Sequence, residues 1–260
     1  MRFARFRLVR FIEVEVRSDN RLGRAKGLSG EVYYPADMKS SGNQEIEVKL
    51  RVDDLAAFRR RLARLGLRPT AAGRVYERNI LFDTPQGGLA KHGQLLRVRR
   101  VARSSNTRRA ARAAHPEAIL TYKGPAVKAT PADASRGGRY KVRQELEVGV
   151  ANPEQLQQIL EALGLRGWFR YEKYRTSYHL PASLRGAEGL QVELDEMPIG
   201  VFVELEGPPR AIDRVAKLLG YTPADYITRS YLALYLERCR KEGVPAADMV
   251  FPATKKAAEK

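Results

Sequence analysis

Apolar and polar residues alternate along eight short stretches of this chain, and strict period-two alternation predicts strands with one apolar and one polar face. The stretches are Glu45–Leu50, Asn79–Asp83, Leu95–Val101, Ile119–Lys123, Tyr140–Val148, Tyr171–His179, Leu190–Glu196 and Val201–Glu206. Elsewhere apolar residues recur three and four apart, the spacing of an amphipathic helix. One helix opens at Asp53 with Leu55, Phe58, Leu62 and Leu65 on one face and stops at Gly66. A second follows Asn152-Pro153, carries Leu156, Ile159, Leu160 and Leu163, and stops at Gly164; a third follows Pro208-Pro209 with Ile212, Val215 and Leu219 before Gly220. Polar caps or proline at the start and glycine at the end are the expected boundary chemistry. A fourth helix is predicted from Ile227 to Lys241, with Tyr231, Leu234 and Tyr235 for packing. The fold class is therefore α+β, rich in antiparallel strands.

The pattern also repeats. Glu45-Ile-Glu-Val, a helix ending in Leu65-Gly-Leu-Arg, Tyr76-Glu-Arg and Pro85 are echoed by Glu145-Leu-Glu-Val, a helix ending in Leu163-Gly-Leu-Arg, Tyr171-Glu-Lys and Pro181. This reads as an internal duplication whose glutamate pairs occupy equivalent places.

The polar faces of the strands are unusual in kind. Glu45, Glu47 and Lys49 oppose Ile46, Val48 and Leu50; Arg97 and Arg99 oppose Leu96 and Val98; Thr121 and Lys123 oppose Leu120 and Tyr122. Arg143, Glu145 and Glu147 oppose Val142, Leu146 and Val148; Lys173 and Arg175 share a face; Glu193 and Asp195 oppose Val192 and Leu194; Glu204 and Glu206 oppose Val203 and Leu205. Any one such strand reads as a half-buried strand with its charges in water. Repeated on strand after strand, with amphipathic helices available for the apolar faces, the pattern predicts a sheet closed around a polar, water-filled tunnel with its helices outside. Glu45, Glu47, Glu145, Glu147, Asp195, Glu204 and Glu206 balance Lys49, Arg97, Arg99, Lys123, Arg143, Lys173 and Arg175, with Glu193 of the same parity. Glutamate pairs suit hard divalent cations and arginine forks suit phosphate oxygens, so a metal triphosphate would enter with little change in net charge.

Composition narrows the chemistry further. The chain has 260 residues with 47 Lys and Arg against 30 Asp and Glu, a formal net charge of +17, which points to a polyanionic partner. Cys239 is the sole cysteine, and His92, His115 and His179 are scattered, so a Cys/His zinc site and a disulfide framework are excluded and any metal is held by oxygen, favouring Mg²⁺ or Mn²⁺. No apolar run approaches the ~18 residues of a membrane span, and Arg2, Arg5, Arg7 and Arg10 interrupt any signal peptide, so a cytoplasmic location is expected. Residues 1–44 lack a sustained period and read as a flexible basic leader, with a true start near Met38 as the alternative; the tunnel domain is expected over 45–240 and a flexible tail over 241–260. The loops 102–117 and 125–138 fall between strands. Trp168 and Phe169 are expected beneath the second helix, and His179 at a rim.

In order along the chain, Glu45-Ile-Glu-Val-Lys49, Asn79-Ile-Leu-Phe-Asp83-Thr, Leu96-Arg-Val-Arg99, Thr121-Tyr-Lys123-Gly-Pro, Arg143-Gln-Glu-Leu-Glu147, Lys173-Tyr-Arg175, Asp195 and Phe202-Val-Glu-Leu-Glu206 resemble the CYTH superfamily, the triphosphate tunnel metalloenzymes. That group includes class IV adenylyl cyclases, thiamine triphosphatases and inorganic triphosphatases. The resemblance implies an eight-stranded antiparallel tunnel, Mg²⁺ or Mn²⁺ as cofactor and a triphosphate-bearing substrate. By the same analogy Glu45, Glu47, Glu145, Glu147, Asp195, Glu204 and Glu206 contribute to metal positions, and Lys49, Arg97, Arg99, Lys123, Arg143, Lys173 and Arg175 grip phosphates. Glu145, Glu147 and Lys123 are the candidates for a direct part in catalysis.

Hydrolysis needs only the metal and phosphate apparatus visible in the strands, which makes a divalent-metal-dependent triphosphatase the leading reading, with tripolyphosphate, thiamine triphosphate or a nucleoside triphosphate as substrate. The alternative is a class IV adenylyl cyclase, supported by Glu193, Asp195 and the segment Ala224–Tyr231, which are similar to cyclase relatives. Nucleic-acid binding is the weaker use of the positive charge, since no aromatic stacking strand or nucleic-acid module is present.

Overall fold

The computed structural model describes residues 44–102, 118–127 and 139–252. The alternating stretches all form strands: β1 (Gln44–Val52), β2 (Arg68–Asp83), β3 (Leu95–Ala102), β4 (Ala118–Lys123), β5 (Lys141–Val150), β6 (Arg166–His179), β7 (Gln191–Met197) and β8 (Gly200–Glu206). They pair antiparallel in the order β1-β5-β4-β3-β2-β6-β7-β8, and β8 returns to β1, so the sheet is a closed barrel. Closure follows from the side-chain pattern. A flat sheet with one apolar and one charged face could cover the first with helices only by leaving the second as an open field of charge, whereas a barrel turns it inward.

The helices are α1 (Leu55–Arg64), α2 (Gly88–Lys91), α3 (Pro153–Ala162), α4 (Pro209–Leu218) and α5 (Tyr231–Glu242). Two of their starts carry side-chain caps: the Asp54 carboxylate, one residue after the expected Asp53, accepts from the Ala57 N–H at 2.9 Å, and the Asn152 side chain, as expected, from the Gln155 N–H at 2.9 Å. Both helices run into glycines in the left-handed region, Gly66 (φ 81°) and Gly164 (φ 84°).

Two apolar cores lie outside the barrel. Phe58 and Leu62 of α1 and Ile212 and Val215 of α4 cover Val48, Leu50, Val192, Leu194, Val203 and Leu205. Leu156 and Leu160 of α3 cover Ile80, Phe82, Leu96, Val98, Leu120 and Val150. Each fully buried side chain of this size contributes about 1.5–3 kcal/mol. A third core sits inside the barrel at one end. Leu81, Phe169, Tyr171, Met197 and Phe202 have the inward parity of the charged residues on their strands, and with Tyr231 they close the base.

Several elements differ from expectation. β2 begins at Arg68, well before Asn79, and a register shift between Pro69 and Arg74 lets it wrap β6. α2 is a single turn, too short to show a helical period in the sequence. The fourth predicted helix starts at Tyr231, since Ile227 pairs its backbone with Lys49 at 3.0 and 2.9 Å, beside β1 where β5 has not yet begun. Phe169 is in the barrel base beside Tyr171 and Tyr235, not beneath α3, while Trp168 is 40% exposed. Alternation decides this: Phe169 shares the parity of Tyr171. Residues 248–251 lie along β6, with Met249 and Phe251 buried, the Met249 N–H donating to Arg170 O and the Phe251 N–H to Glu172 Oε2. The segment expected to be a tail from 241 is thus joined to the barrel as far as Phe251. His179 is exposed at the end of β6 opposite the apolar base. The leader to residue 43, most of the loops 102–117 and 125–138, and residues 253–260 lie outside the described residues. Among those described, no helix is long and apolar enough to cross a membrane.

Candidate active site

Inward parity turns every charged strand residue singled out in the sequence toward the barrel interior, because all of them sit on strands whose alternate residues are held by the outer cores. Depth then separates them. The barrel mouth is the end where β5 and β6 finish and β7 begins; there the Glu145 and Glu147 side chains are 18% and 37% exposed. Lys49, Lys173 and Asp195 are almost wholly buried toward the closed base.

Near the mouth, Glu45, Glu145 and Glu206 bring carboxylate oxygens within 4.8 Å of one another. Lys123 Nζ donates to both Glu45 oxygens at 2.6 and 2.7 Å and lies 3.0 Å from Glu145, and Arg143 is 3.5 Å from Glu45. Among the described residues no lysine or arginine lies within ion-pairing distance of Glu206. Burial, then Glu45 and Glu145, push its pKa up to about 8. Burial also raises Glu145, with Glu45 adding to it against the pull of Lys123. A carboxylate trio with more negative charge than its cations neutralise fits a hard, oxygen-seeking metal ion.

One wall, from β3, β4 and β5, holds Arg97, Arg99, Thr121 and Glu147. Glu147 accepts from Arg99 at 2.8 Å and from the Thr121 hydroxyl at 2.7 Å, and Arg97 reaches Thr121 at 3.1 Å and the Tyr171 hydroxyl at 3.2 Å. Burial would raise Glu147, but the Thr121 hydrogen bond and the two guanidinium groups hold it below the ordinary range. Opposite, Asp195 accepts from Lys173 at 3.0 Å, from Arg175 at 2.7 and 2.6 Å and from the Tyr231 hydroxyl at 3.0 Å, and Arg175 also binds Glu193 and Glu204. Lys49 bridges Glu47 at 3.0 Å and Glu204 at 3.2 Å.

The expected metal ligands therefore divide in this structure. Glu45, Glu145 and Glu206 converge, the first two around Lys123, whereas Glu47, Glu147, Asp195 and Glu204 lie apart from that cluster in ion pairs of their own with lysine or arginine. The expected phosphate-gripping residues, Lys49, Arg97, Arg99, Lys123, Arg143, Lys173 and Arg175, all line the cavity.

Residues that sequence reasoning passed over also face inward. Lys141 is 2.5 Å from Glu47, and burial, followed by repulsion from Lys49, lowers it to about 8; its parity with Arg143 was the available signal. Glu77 lies 3.5 Å from Lys173 and 3.7 Å from Arg99. Burial would raise Glu77, yet Lys173, Arg175 and Arg99 together bring it to about 2. The part of β2 before Asn79 has no clean alternation, which hides Glu77. Tyr231 lies on a helix, where a two-residue period gives no signal.

A family model described as CYTH domain matches residues 43–231. A protein of Methanocaldococcus jannaschii named as a putative adenylate cyclase is 25% identical over 194 residues, covering 73% of this chain and 97% of that protein. Among solved structures, the PH1819 protein of Pyrococcus horikoshii superposes with a TM-score of 0.56 at 23% identity, covering 75% of this chain and 99% of its own. A Vibrio parahaemolyticus structure described as a putative adenylate cyclase gives 0.54 at 19% identity, over 74% and 98%. At these identities the structural matches establish the barrel fold.

Proposed function

Because the chain belongs to the CYTH domain family, we propose that it hydrolyses a triphosphate-bearing substrate inside the barrel with the help of Mg²⁺ or Mn²⁺. The observation that carries this reading is the convergence of Glu45, Glu145 and Glu206 beside a wall of lysine and arginine in a barrel with one closed end. Glu45, Glu145 and Glu206 would hold the ion, which when bound supplies charge neutralisation of phosphate oxygens and a more acidic water.

The chain's own residues do the rest. Arg97, Arg99, Lys123 and Arg143 face the cavity on adjacent strands and offer donors to successive phosphates. They also stabilise the charge that builds on the leaving phosphate as the bridging bond breaks. Within the second pair, burial raises the Glu145 carboxylate, which would serve the ion, whereas the Thr121 hydrogen bond and the arginines hold Glu147 low, so the two carboxylates take different parts. For tripolyphosphate the products would be orthophosphate and pyrophosphate.

The named relatives favour a second reading, conversion of ATP to cyclic AMP and pyrophosphate, which uses the same phosphate grip with a ribose hydroxyl as nucleophile. Incubation with tripolyphosphate, thiamine triphosphate and ATP in Mg²⁺ or Mn²⁺, with products separated chromatographically, tests both. Orthophosphate release supports hydrolysis. Cyclic AMP as the main product from ATP, with tripolyphosphate left uncleaved, overturns it.

A further inference from the structure

The barrel interior leaves a local set of polar atoms unsatisfied. Apart from Arg143 Nε, every buried side-chain nitrogen or oxygen without a hydrogen-bond partner among the described residues belongs to β2 or β3: Glu77 Oε2, both polar atoms of the Asn79 carboxamide, and Nε of Arg97 and Arg99. These strands are neighbours, and Asn79 sits opposite Arg99 in their register. Asn79 is 1% exposed. Native interiors seldom leave such groups alone, so a cluster of them marks the place of something they bind.

Their chemistry says what. Asn79 Nδ2 and the two guanidinium Nε atoms are donors on adjacent strands and call for acceptor oxygens, while Asn79 Oδ1 and Glu77 Oε2 call for a proton on the bound group or on a water. The next residue inward on the same face is Leu81, followed by the apolar base of Phe169, Tyr171, Met197, Phe202 and Tyr231. An organic group has no passage there, while the mouth side is open at Glu147. A phosphate chain entering from the mouth would on this lining stand with its free end inward.

We propose that Asn79 contacts the terminal phosphate of the bound substrate, Nδ2 donating to a phosphate oxygen and Oδ1 accepting from a water or a protonated phosphate oxygen. This rests on the triphosphate reading above and narrows it. The substrate class is a triphosphate with one unmodified end, the organic group on the other end standing at the mouth. Triphosphates capped at both ends do not fit.

The test compares the full-length protein with Asn79→Leu and Asn79→Ala. In each, tripolyphosphate binding in Mg²⁺ is measured by calorimetry, turnover is followed in parallel, and stability without ligand is read from denaturant unfolding. A leucine satisfies the apolar side of the site and removes an unpaired amide, so unliganded Asn79→Leu should be at least as stable as wild type. Both variants should bind tripolyphosphate at least ~10-fold more weakly, the scale of a hydrogen bond to a charged group. For wild type, a dinucleoside triphosphate should compete at least ~10-fold less well than ATP, because its far end is blocked. Unchanged affinity in either variant would mean that the carboxamide merely holds water, and equal binding of the doubly capped compound would remove the inward phosphate; each overturns the proposal. If wild type shows these binding differences and turns over no triphosphate, the hydrolase reading falls and the Asn79 contact stands. If wild type does not bind tripolyphosphate, both fall.

Discussion

The first glutamate pair, Glu45 and Glu47, and its echo, Glu145 and Glu147, have almost the same local sequence and both face into the barrel, yet they sit at different depths. Glu45 and Glu47 are buried. The second pair stands at the mouth, because β5 pairs with β1 only from Gln44↔Gln144 to Glu47↔Lys141 and then continues past the start of β1, joined to β4 alone. The third position of the motif differs as well. Lys49 ties Glu47 to Glu204, whereas its counterpart Gly149 ties nothing. The motif thus occurs twice, and strand stagger makes one copy a buried anchor and the other an accessible group. The candidate metal cluster takes one carboxylate from each copy, Glu45 and Glu145, and adds Glu206.

The second echo diverges further. Tyr76-Glu-Arg and Tyr171-Glu-Lys lie on β2 and β6, which pair with each other so that Glu77 meets Lys173 and Arg78 meets Glu172. Glu77 consequently faces the cavity, while Glu172 faces outward and accepts from Phe251. A one-residue offset in register exchanges the faces of otherwise equivalent residues.

Substitutions put these contrasts at risk. The largest effect is expected at the metal cluster: Glu45→Gln and Glu145→Gln should each lower triphosphate turnover by at least ~100-fold with circular dichroism unchanged, the usual scale for lost charge stabilisation. Glu147→Gln, whose carboxylate is occupied by Arg97, Arg99 and Thr121, should cost about 10-fold at most. Equal losses for Glu145→Gln and Glu147→Gln would erase the distinction drawn within the second pair.

Truncation after Gly243 uncovers the surface held by Met249 and Phe251 and leaves Glu172 without its Phe251 donor. At about 1.5–3 kcal/mol per buried side chain, the loss should be roughly 3–6 kcal/mol in urea unfolding. Wild-type stability would show that the segment lies on the barrel without supporting it.

Glu77→Gln and Glu172→Gln probe the contrast between the two tyrosine-glutamate echoes. Glu77→Gln removes an anion from among Lys173, Arg99 and Arg175 and should destabilise by about 2–3 kcal/mol, below the usual cost of breaking a buried pair because Lys173 keeps Asp195. Glu172→Gln retains an acceptor for the Phe251 N–H and should cost about 1 kcal/mol or less. Thermal unfolding of the two variants side by side would expose a reversed order.

The smallest effect is a slope with pH. Glu206 has its folded pKa raised to about 8 from an ordinary 4.5, so the fold favours the protonated form. The stability this contributes is complete below about 4.5 and is lost as pH rises through 8. Chelator-treated protein should therefore melt at progressively lower temperature between pH 5 and 8, and Glu206→Gln should flatten that trend. The depressed Glu77 acts on the other side, its contribution being lost as pH falls from about 4.5 through 2. Identical profiles for wild type and Glu206→Gln would show that Glu206 does not carry the charge imbalance.

Alternation alone makes β1, β3, β4, β5, β7, β8 and β6 from Tyr171 onward legible, along with the charged residues on their inner faces. It fails on the part of β2 before Asn79, which has no clean period and so hides Glu77, and on Tyr231, which reaches Asp195 from a helix. Asn79 is visible as part of a motif, but nothing in its identity distinguishes an amide that is paired from one that is not.

Side-chain parity belongs to the chain itself, set by the geometry of extended backbone, so the order of residues is enough to say which of them face the interior and that the interior is charged. Depth, pairing and closure are properties of the assembled sheet. It took the folded barrel to stagger β5 against β1, offset β2 against β6, fill the base with Phe169, Phe202 and Tyr231, and bring Glu45, Glu145 and Glu206 within reach of one ion. Those distances depend on the register between strands far apart in sequence, and local alternation carries no record of it.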